Sequence, residues 1–291
     1  MIKVVRIGFI GAGTVGTALA VRLSRQGYQI SAVYDMIPAS VKRFIEAVAG
    51  CQLYEKAQDV ADNADFVFIT TPDDFIPQVA IGVRWHPEQM VVHCSGAAST
   101  DILEPARKCG AMVGCIHPLQ TFASVAQAVD NLPGSTFAVE AEEPLKSTLK
   151  EMATALQGSW VELKAEDKAL YHAAACIACN YFVTLVNIAA DLWQDFGKST
   201  GEATKAILPM LHGTLNNLGQ TGLPDCLTGP IARGDLTTIR KHLTALEKKA
   251  PSLLPLYREL GIWTIPIALA KGTIDQRLAE ELRELLQENK K

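Results

Sequence analysis

Three glycines and two histidines are the residues of this chain whose types and spacing point to chemistry. Gly11, Gly13 and Gly16 form a Gly-x-Gly-x-x-Gly turn that follows the apolar run 4–10 and opens into the helical pattern Ala18, Leu19, Val21, Leu23. A strand before and a helix behind make this turn a dinucleotide site. Gly11 can take the tight turn, Gly13 puts no Cβ between backbone and pyrophosphate, and Gly16 lets the helix lie close to the sheet. The helix N-terminus adds unpaired N–H groups and a positive dipole end for the phosphates. The expected cofactor contacts are Gly11, Ala12, Gly13, Thr14, Val15 and Gly16. Asp35 ends a second apolar run, 29–34, at the distance where a ribose-binding acid belongs, which predicts NAD over NADP. Lys42 and Arg43, a helical turn or more further on, keep NADP open. A strand over 65–73 stops at a proline, so Thr70, Thr71 and Pro72 are expected to face the cofactor.

Proton chemistry falls to the histidines. An imidazole titrates near neutrality and can donate or accept the proton that accompanies hydride transfer. His117 closes the predicted strand 112–116, with Pro118 fixing the backbone after it. His172 lies in a long helical pattern, 170–190, that contains no charged residue. At 100° per residue His172, Cys176, Asn180, Thr184, Asn187 and Asp191 fall within about 120° of one another, a polar stripe on an apolar helix. Such a stripe either satisfies itself inside a core or lines a substrate site in an interdomain cleft. The candidate catalytic set is His172 or His117 as the proton group, with Asn180 and Ser95 orienting the substrate oxygen. His172 is favoured because it shares a face with Asn180. His93 reads as a core histidine, and His86, His212 and His242 as surface or helix-packing residues. Arg233, beyond Gly229-Pro230 and beside the predicted N-cap Asp235, is either a carboxylate clamp or a structural ion-pair partner.

The elements that must position these residues alternate. Strands at 29–34, 65–73, 90–94, 112–116, 135–139 and 160–163, with helices at 39–49, 100–109 and 144–157, predict an α/β fold with a doubly wound, mostly parallel Rossmann sheet over 1–163. Gly11, Asp35, Thr70, Ser95 and His117 then mark strand carboxyl ends, where such sheets bind ligands. From Lys164 only helical patterns remain, broken at Gly197, 219–224, Gly229-Pro230, Pro251 and Gly272, with an amphipathic last helix over 274–288. An all-α domain over 164–291 follows.

With 291 residues, 48% hydrophobic and 20% charged, the chain is long enough for two cores. A net charge of -4, a pI near 5.9 and no basic block beyond Lys290-Lys291 argue against nucleic acid. The run 170–190 is long enough to span a membrane, but its polar stripe argues against that. Seven scattered cysteines read as reduced thiols, and Cys176 and Cys179 lack a second pair for zinc, so no metal is expected. A cytoplasmic location follows from the early strand and the absence of a signal-peptide design. The helical domain carries more apolar surface than a small bundle hides, which predicts a homodimer.

The motifs resemble a dehydrogenase superfamily that includes β-hydroxyacid dehydrogenases, pyrroline-5-carboxylate reductases and deazaflavin-dependent NADP oxidoreductases. More narrowly, 92–96 (Val-His-Cys-Ser-Gly), 114–122 (Gly-Cys-Ile-His-Pro-Leu-Gln-Thr-Phe), Tyr171-His172 with Asn180-Tyr181, and 227–235 (Leu-Thr-Gly-Pro-Ile-Ala-Arg-Gly-Asp) resemble a functionally uncharacterised family of oxidoreductase-like proteins. The resemblance implies a Rossmann domain followed by a helical domain that commonly pairs two subunits, and it supplies no substrate. In the β-hydroxyacid dehydrogenases a Ser after the fifth strand and a Ser-Gly-Gly loop after the sixth hold the substrate, while a Lys and an Asn one helical turn later act on the reacting oxygen. Ser95-Gly96 matches the first loop, His117-Pro118 sits in the second and Asn180 matches the Asn. The Lys is missing: one turn before Asn180 stands Cys176. The expectation is an NAD(P)-dependent oxidoreductase that moves hydride between nicotinamide and a small polar carbonyl, imine or alcohol, with a histidine replacing the lysine. The alternative, supported by the missing lysine, is a non-catalytic dinucleotide sensor.

Overall fold

Short runs of alternating β-branched and aromatic residues, each followed by a helix, build the sheet of this protein, seen in a computed structural model that describes residues 5–287. The first unit contains β1 (Arg6–Ile10), α1 (Thr14–Arg25), β2 (Gln29–Tyr34), α2 (Pro38–Ala47), β3 (Gln52–Leu53), α3 (Ala57–Asp62), β4 (Phe66–Ile69), α4 (Ile76–Gly82) and β5 (Met90–His93). It continues through α5 (Glu104–Lys108), β6 (Met112–Leu119), α6 (Val125–Asn131), β7 (Thr136–Ala141), α7 (Leu145–Ala155), β8 (Ser159–Glu162) and α8 (Lys168–Ala175). The eight strands form one sheet in the order β3-β2-β1-β4-β5-β6-β7-β8, parallel except for the antiparallel pair β6 and β7. This is the doubly wound architecture expected.

Both faces of the sheet are covered, which is why β4 is apolar at every position and its neighbours β1 and β5 carry a polar side chain only at one end. Successive side chains go to opposite cores: Phe9, Phe66, Phe68 and Val92 pack on one face, Ile10, Val67, Ile69 and Val91 on the other. Phe9 and Phe68 stack with ring centroids 5.0 Å apart.

One strand departs from expectation. β6 does not end at Ile116 but runs to Leu119, because β7 pairs with it antiparallel through His117↔Ala138 and Pro118↔Phe137. His117 therefore lies inside a strand rather than at its end. β5 flanks β6 only as far as Cys115, so Pro118 sits where a single neighbour needs bonds from the strand. Short elements escaped the sequence reading: two-residue β3 and the six- and seven-residue helices α3 and α4 are below the length at which periodicity speaks. Val4, assigned to the first strand, lies outside the described residues.

The long helical pattern is not one α-helix. After α8 comes a π-turn, Cys176–Asn180, and then α9 (Tyr181–Asp191). Nor is it a core helix within one chain: Leu170, Ile177, Tyr181 and Val183 are exposed. Contacts divide the chain after Asn180 rather than at 163/164, so α8 and the π-turn belong with the sheet. Lys168, the first residue of α8, is buried and bonded to the loop after β5 and to β6.

The second unit holds α9, α10 (Thr200–Thr221), α11 (Leu236–Lys249), α12 (Leu254–Lys271) and α13 (Gln276–Gln287). Its core gathers Ile239, Ile265, Ala268, Ala279, Leu282 and Leu286. Ser199 and Glu202 form a capping box on α10, and Asp235 caps α11 by accepting the Thr238 N–H at 2.9 Å. Gly219 stands inside α10, and the helix stops at Gly222. Glu288, assigned to the last helix, and Lys290-Lys291 lie outside the described residues.

Candidate functional site

At the glycine turn the three glycines are required for three different reasons. Gly11 has φ of 108°, and a Cβ there would stand 2.6 Å from the Thr70 carbonyl carbon. Gly16 faces the Thr70 hydroxyl and the Gly11 carbonyl, the latter 2.6 Å from where a Cβ would lie, so α1 can seat against β4 only without a side chain. Gly13 is different: a Cβ there would meet nothing nearer than the Thr70 carbonyl oxygen at 4.0 Å. The turn is open at that point, and no side chain caps α1, of which Thr14 and Val15 begin the first turn. Open glycine backbone beside an uncapped helix N-terminus is what a pyrophosphate needs.

Neighbouring groups complete this cradle. The Thr70 hydroxyl donates to the Gly11 carbonyl at 2.6 Å. The Thr71 hydroxyl is buried with no hydrogen-bond partner, a polar atom awaiting one, while Pro72 is exposed. Asp35 also holds the backbone around it. One carboxylate oxygen accepts the Ala12 N–H at 2.6 Å and the other accepts the Ile37 N–H at 2.8 Å. The acid thereby ties the glycine turn to the start of α2.

A second cluster forms around Gly96, in the loop after β5. A Cβ on Gly96 would lie 2.7 Å from His172 Cδ2 and 2.8 Å from His117 Nε2, so two imidazoles converge on the one residue that leaves them room. Their ring centroids are 6.2 Å apart at 75°. His117 Nδ1 and the Tyr171 hydroxyl share a hydrogen bond of 2.9 Å. Burial pushes His117 down to about 4, aided by the Lys168 ammonium and by His172. Burial also raises the Tyr171 phenol to about 12, so the phenol keeps its proton.

Ser95 is almost fully buried beside Gly96. Its hydroxyl donates to the Asp73 carboxylate at 2.6 Å and accepts the Ala97 and Ala98 N–H groups at 3.3 and 3.0 Å. These bonds fold the loop and join it to the segment after β4. Asn180 closes the π-turn and is exposed. A π-turn advances about 82° per residue rather than 100°, which narrows the spread of His172, Cys176 and Asn180 from roughly 80° to roughly 30°. The turn thus lines up the three residues that α-helical spacing only approximates. Cys176 Sγ approaches His172 Nδ1 at 3.9 Å.

Of the residues selected from sequence, Ser95, His117 and His172 come together, and Asn180 shares the helix face of His172. Asp73, Tyr171 and Lys168 were not selected. Tyr171 stands beside His172 in the sequence, and Lys168 lies one helical turn before it, spacings that place all three on one stretch of helix. His93 is a core residue as expected: its Nδ1 accepts the Ser95 N–H at 3.1 Å, and burial followed by Lys168 lowers it to about 3. His86 pairs with Asp62, His242 bonds Tyr257, and His212 is exposed. Arg233 is exposed and adds to the lowering of the Asp235 carboxyl, after the Thr238 hydrogen bonds.

Residues 2–118 match the family described as a Rossmann-like domain, and residues 135–264 match a domain of unknown function, DUF2520. A solved structure from Bacteroides fragilis, provisionally designated an NADP oxidoreductase, superposes with a TM-score of 0.71 at 25% identity over 90% of this chain and 98% of that one. A reductive aminase from Aspergillus terreus, in complex with NADPH and ethyl-5-oxohexanoate, shares the fold with a TM-score of 0.64 at 15% identity, over 98% of this chain and 93% of that one. Pyrroline-5-carboxylate reductases share it as well. The mitochondrial 3-hydroxyisobutyrate dehydrogenase of Bos taurus is 36% identical over 66 residues, 23% of this chain and 19% of that protein. The chain thus aligns with about a fifth of the length of the curated relatives it matches.

Proposed function

Because the chain carries a Rossmann-like domain followed by a DUF2520 domain, we propose that it is a nicotinamide-dinucleotide-dependent oxidoreductase that moves hydride between the cofactor and a small polar carbonyl, imine or alcohol. The observation that carries this reading is the convergence of His117 and His172 on Gly96. A bound nicotinamide supplies the hydride chemistry. The chain's own part is to hold the pyrophosphate against Gly13 and the N-terminus of α1, and to manage a proton at the substrate heteroatom. His117, neutral at physiological pH, serves as a hydrogen-bonding group, and His172 exchanges the proton. Asn180, on the face of His172, orients the oxygen or nitrogen. Ser95 shapes the loop, since its hydroxyl is already engaged by Asp73 and two N–H groups.

For the dinucleotide we propose NADP(H). Asp35, the basis for expecting NAD, already accepts a backbone N–H on each oxygen. Four of the structural neighbours carry NADP or NADPH in their descriptions. The second reading, a dinucleotide sensor, is favoured by Cys176 standing where the hydroxyacid dehydrogenases place their lysine.

Absorbance assays of NADPH and NADH oxidation against a panel of aldehydes, ketones and imines test the proposal. Turnover with at least one class is expected. His172→Ala then lowers turnover by about two to four powers of ten while leaving dinucleotide affinity near parental, with His117→Ala and Asn180→Ala measured beside it. Tight dinucleotide binding with no hydride transfer across the panel would favour the sensor and sink the enzyme.

A further inference from the structure

Lys168 is the charged residue that the fold buries most deeply among those described, at 1% exposure. Its ammonium has three N–H groups and meets groups on three other segments. The Ser95 carbonyl oxygen lies at 3.2 Å, Cys115 Sγ on β6 at 2.8 Å and Glu140 Oε2 on β7 at 3.5 Å. The second oxygen of Glu140 accepts both the N–H and the hydroxyl of Thr100, at 3.0 and 2.8 Å. One ion pair therefore grips both ends of the loop 95–100, the loop that contains Gly96. Its cation belongs to α8, and Tyr171 and His172 follow Lys168 within about one helical turn.

We propose that Lys168, together with Glu140, is the positioning residue of this site: the pair clamps the loop 95–100 to the first turn of α8 and so sets Gly96 between His117 and His172. The inference rests on reading the Gly96 cluster as the substrate site. A buried ion pair is a poor source of stability, because desolvation consumes most of its attraction and apolar isosteres commonly do as well. What it supplies is directional: the ammonium and the carboxylate between them hold α8, β6, β7 and the loop 95–100 in one arrangement. The charged and titratable groups around the ammonium are Glu140 from β7, Cys115 and His117 from β6, His93 from β5, Cys94 just after β5 and Asp73 from the segment after β4. The cation opposes protonation of both histidines.

The test uses Lys168→Met alone and the double variant Lys168→Met/Glu140→Gln, which leaves no uncompensated charge. The single variant is expected to melt at a lower temperature and, in histidine-detected NMR titration, to show His117 titrating at higher pH than in the parent. The double variant is expected to melt near the parental temperature yet to lose the nuclear Overhauser contacts between Gly96 and the His172 ring. Turnover should fall on the order of 10²-fold with dinucleotide affinity unchanged. If the single variant does not fold, the double variant carries the test. Retention of the Gly96–His172 contacts in the double variant overturns the proposal, and so does loss of turnover with those contacts intact. The NMR measurements need no substrate, so the clamp can fail or stand independently of the oxidoreductase reading.

Discussion

His117 gives up its charge to hold its place. It is flanked by β7, bonded to Tyr171 and near the Lys168 ammonium, and the fold can accommodate it only as the neutral imidazole. Its ordinary value is 6.5 and its value in the fold is about 4. The unfolded chain therefore takes up this proton first as pH falls. The stability tied to keeping His117 neutral is complete above pH 6.5, erodes as pH drops below it, and is gone below about 4, a change on the order of 3 kcal/mol. His93, lowered to about 3, acts in the same direction. Urea denaturation between pH 7.5 and 4.5 is the measurement. The gap in stability between the parent and His117→Gln should narrow as the pH is lowered through 6; a gap that stays constant shows that His117 is not the group involved.

At the scale of elements, sequence legibility followed length and regularity. The strand 29–34 was located to the residue, since its alternation is bounded by turn residues on both sides. The end of β6 was not, because a proline in a strand reads as a stop and only pairing with β7 reveals otherwise. The π-turn at Cys176–Asn180 has no compositional mark, yet it decides which residues share the face of His172. Lys168 carries no sequence mark of its burial, because it sits in the charged stretch 164–168, with Lys164, Glu166 and Asp167, which reads as a solvated helix start. The β2–α2 junction shows the same limit: position points Asp35 at a ribose, and only side-chain direction shows that it also holds the glycine turn. Asp35→Ala should accordingly weaken NADPH and NADH by similar factors, about ten- to a hundredfold for two lost charge-assisted bonds. Fluorescence titration of both dinucleotides decides this. Loss confined to NADH would restore the ribose role.

On the scale of the whole molecule, the unsolved surface is the helical run 165–196. By length and composition it is one of two helices among the described residues that could cross a membrane, the other being 251–271, yet in the single chain it is barely covered. Along it Ile177 and Val183 are each more than 60% exposed, and Leu170 reaches 77%. An apolar surface of that extent marks an interaction site. A second copy of the chain is the cover we propose, because a two-fold interface buries the same run twice and needs no other partner. Light scattering at micromolar concentration should then give twice the 31.4 kDa of one chain. Replacing Ile177 and Val183 together by lysine introduces two unpaired charges into that interface, and the particle should fall to the mass of one chain at the same concentration. A parental protein that is already monomeric defeats the proposal, and a double-lysine variant that keeps the doubled mass places the interface on some other surface.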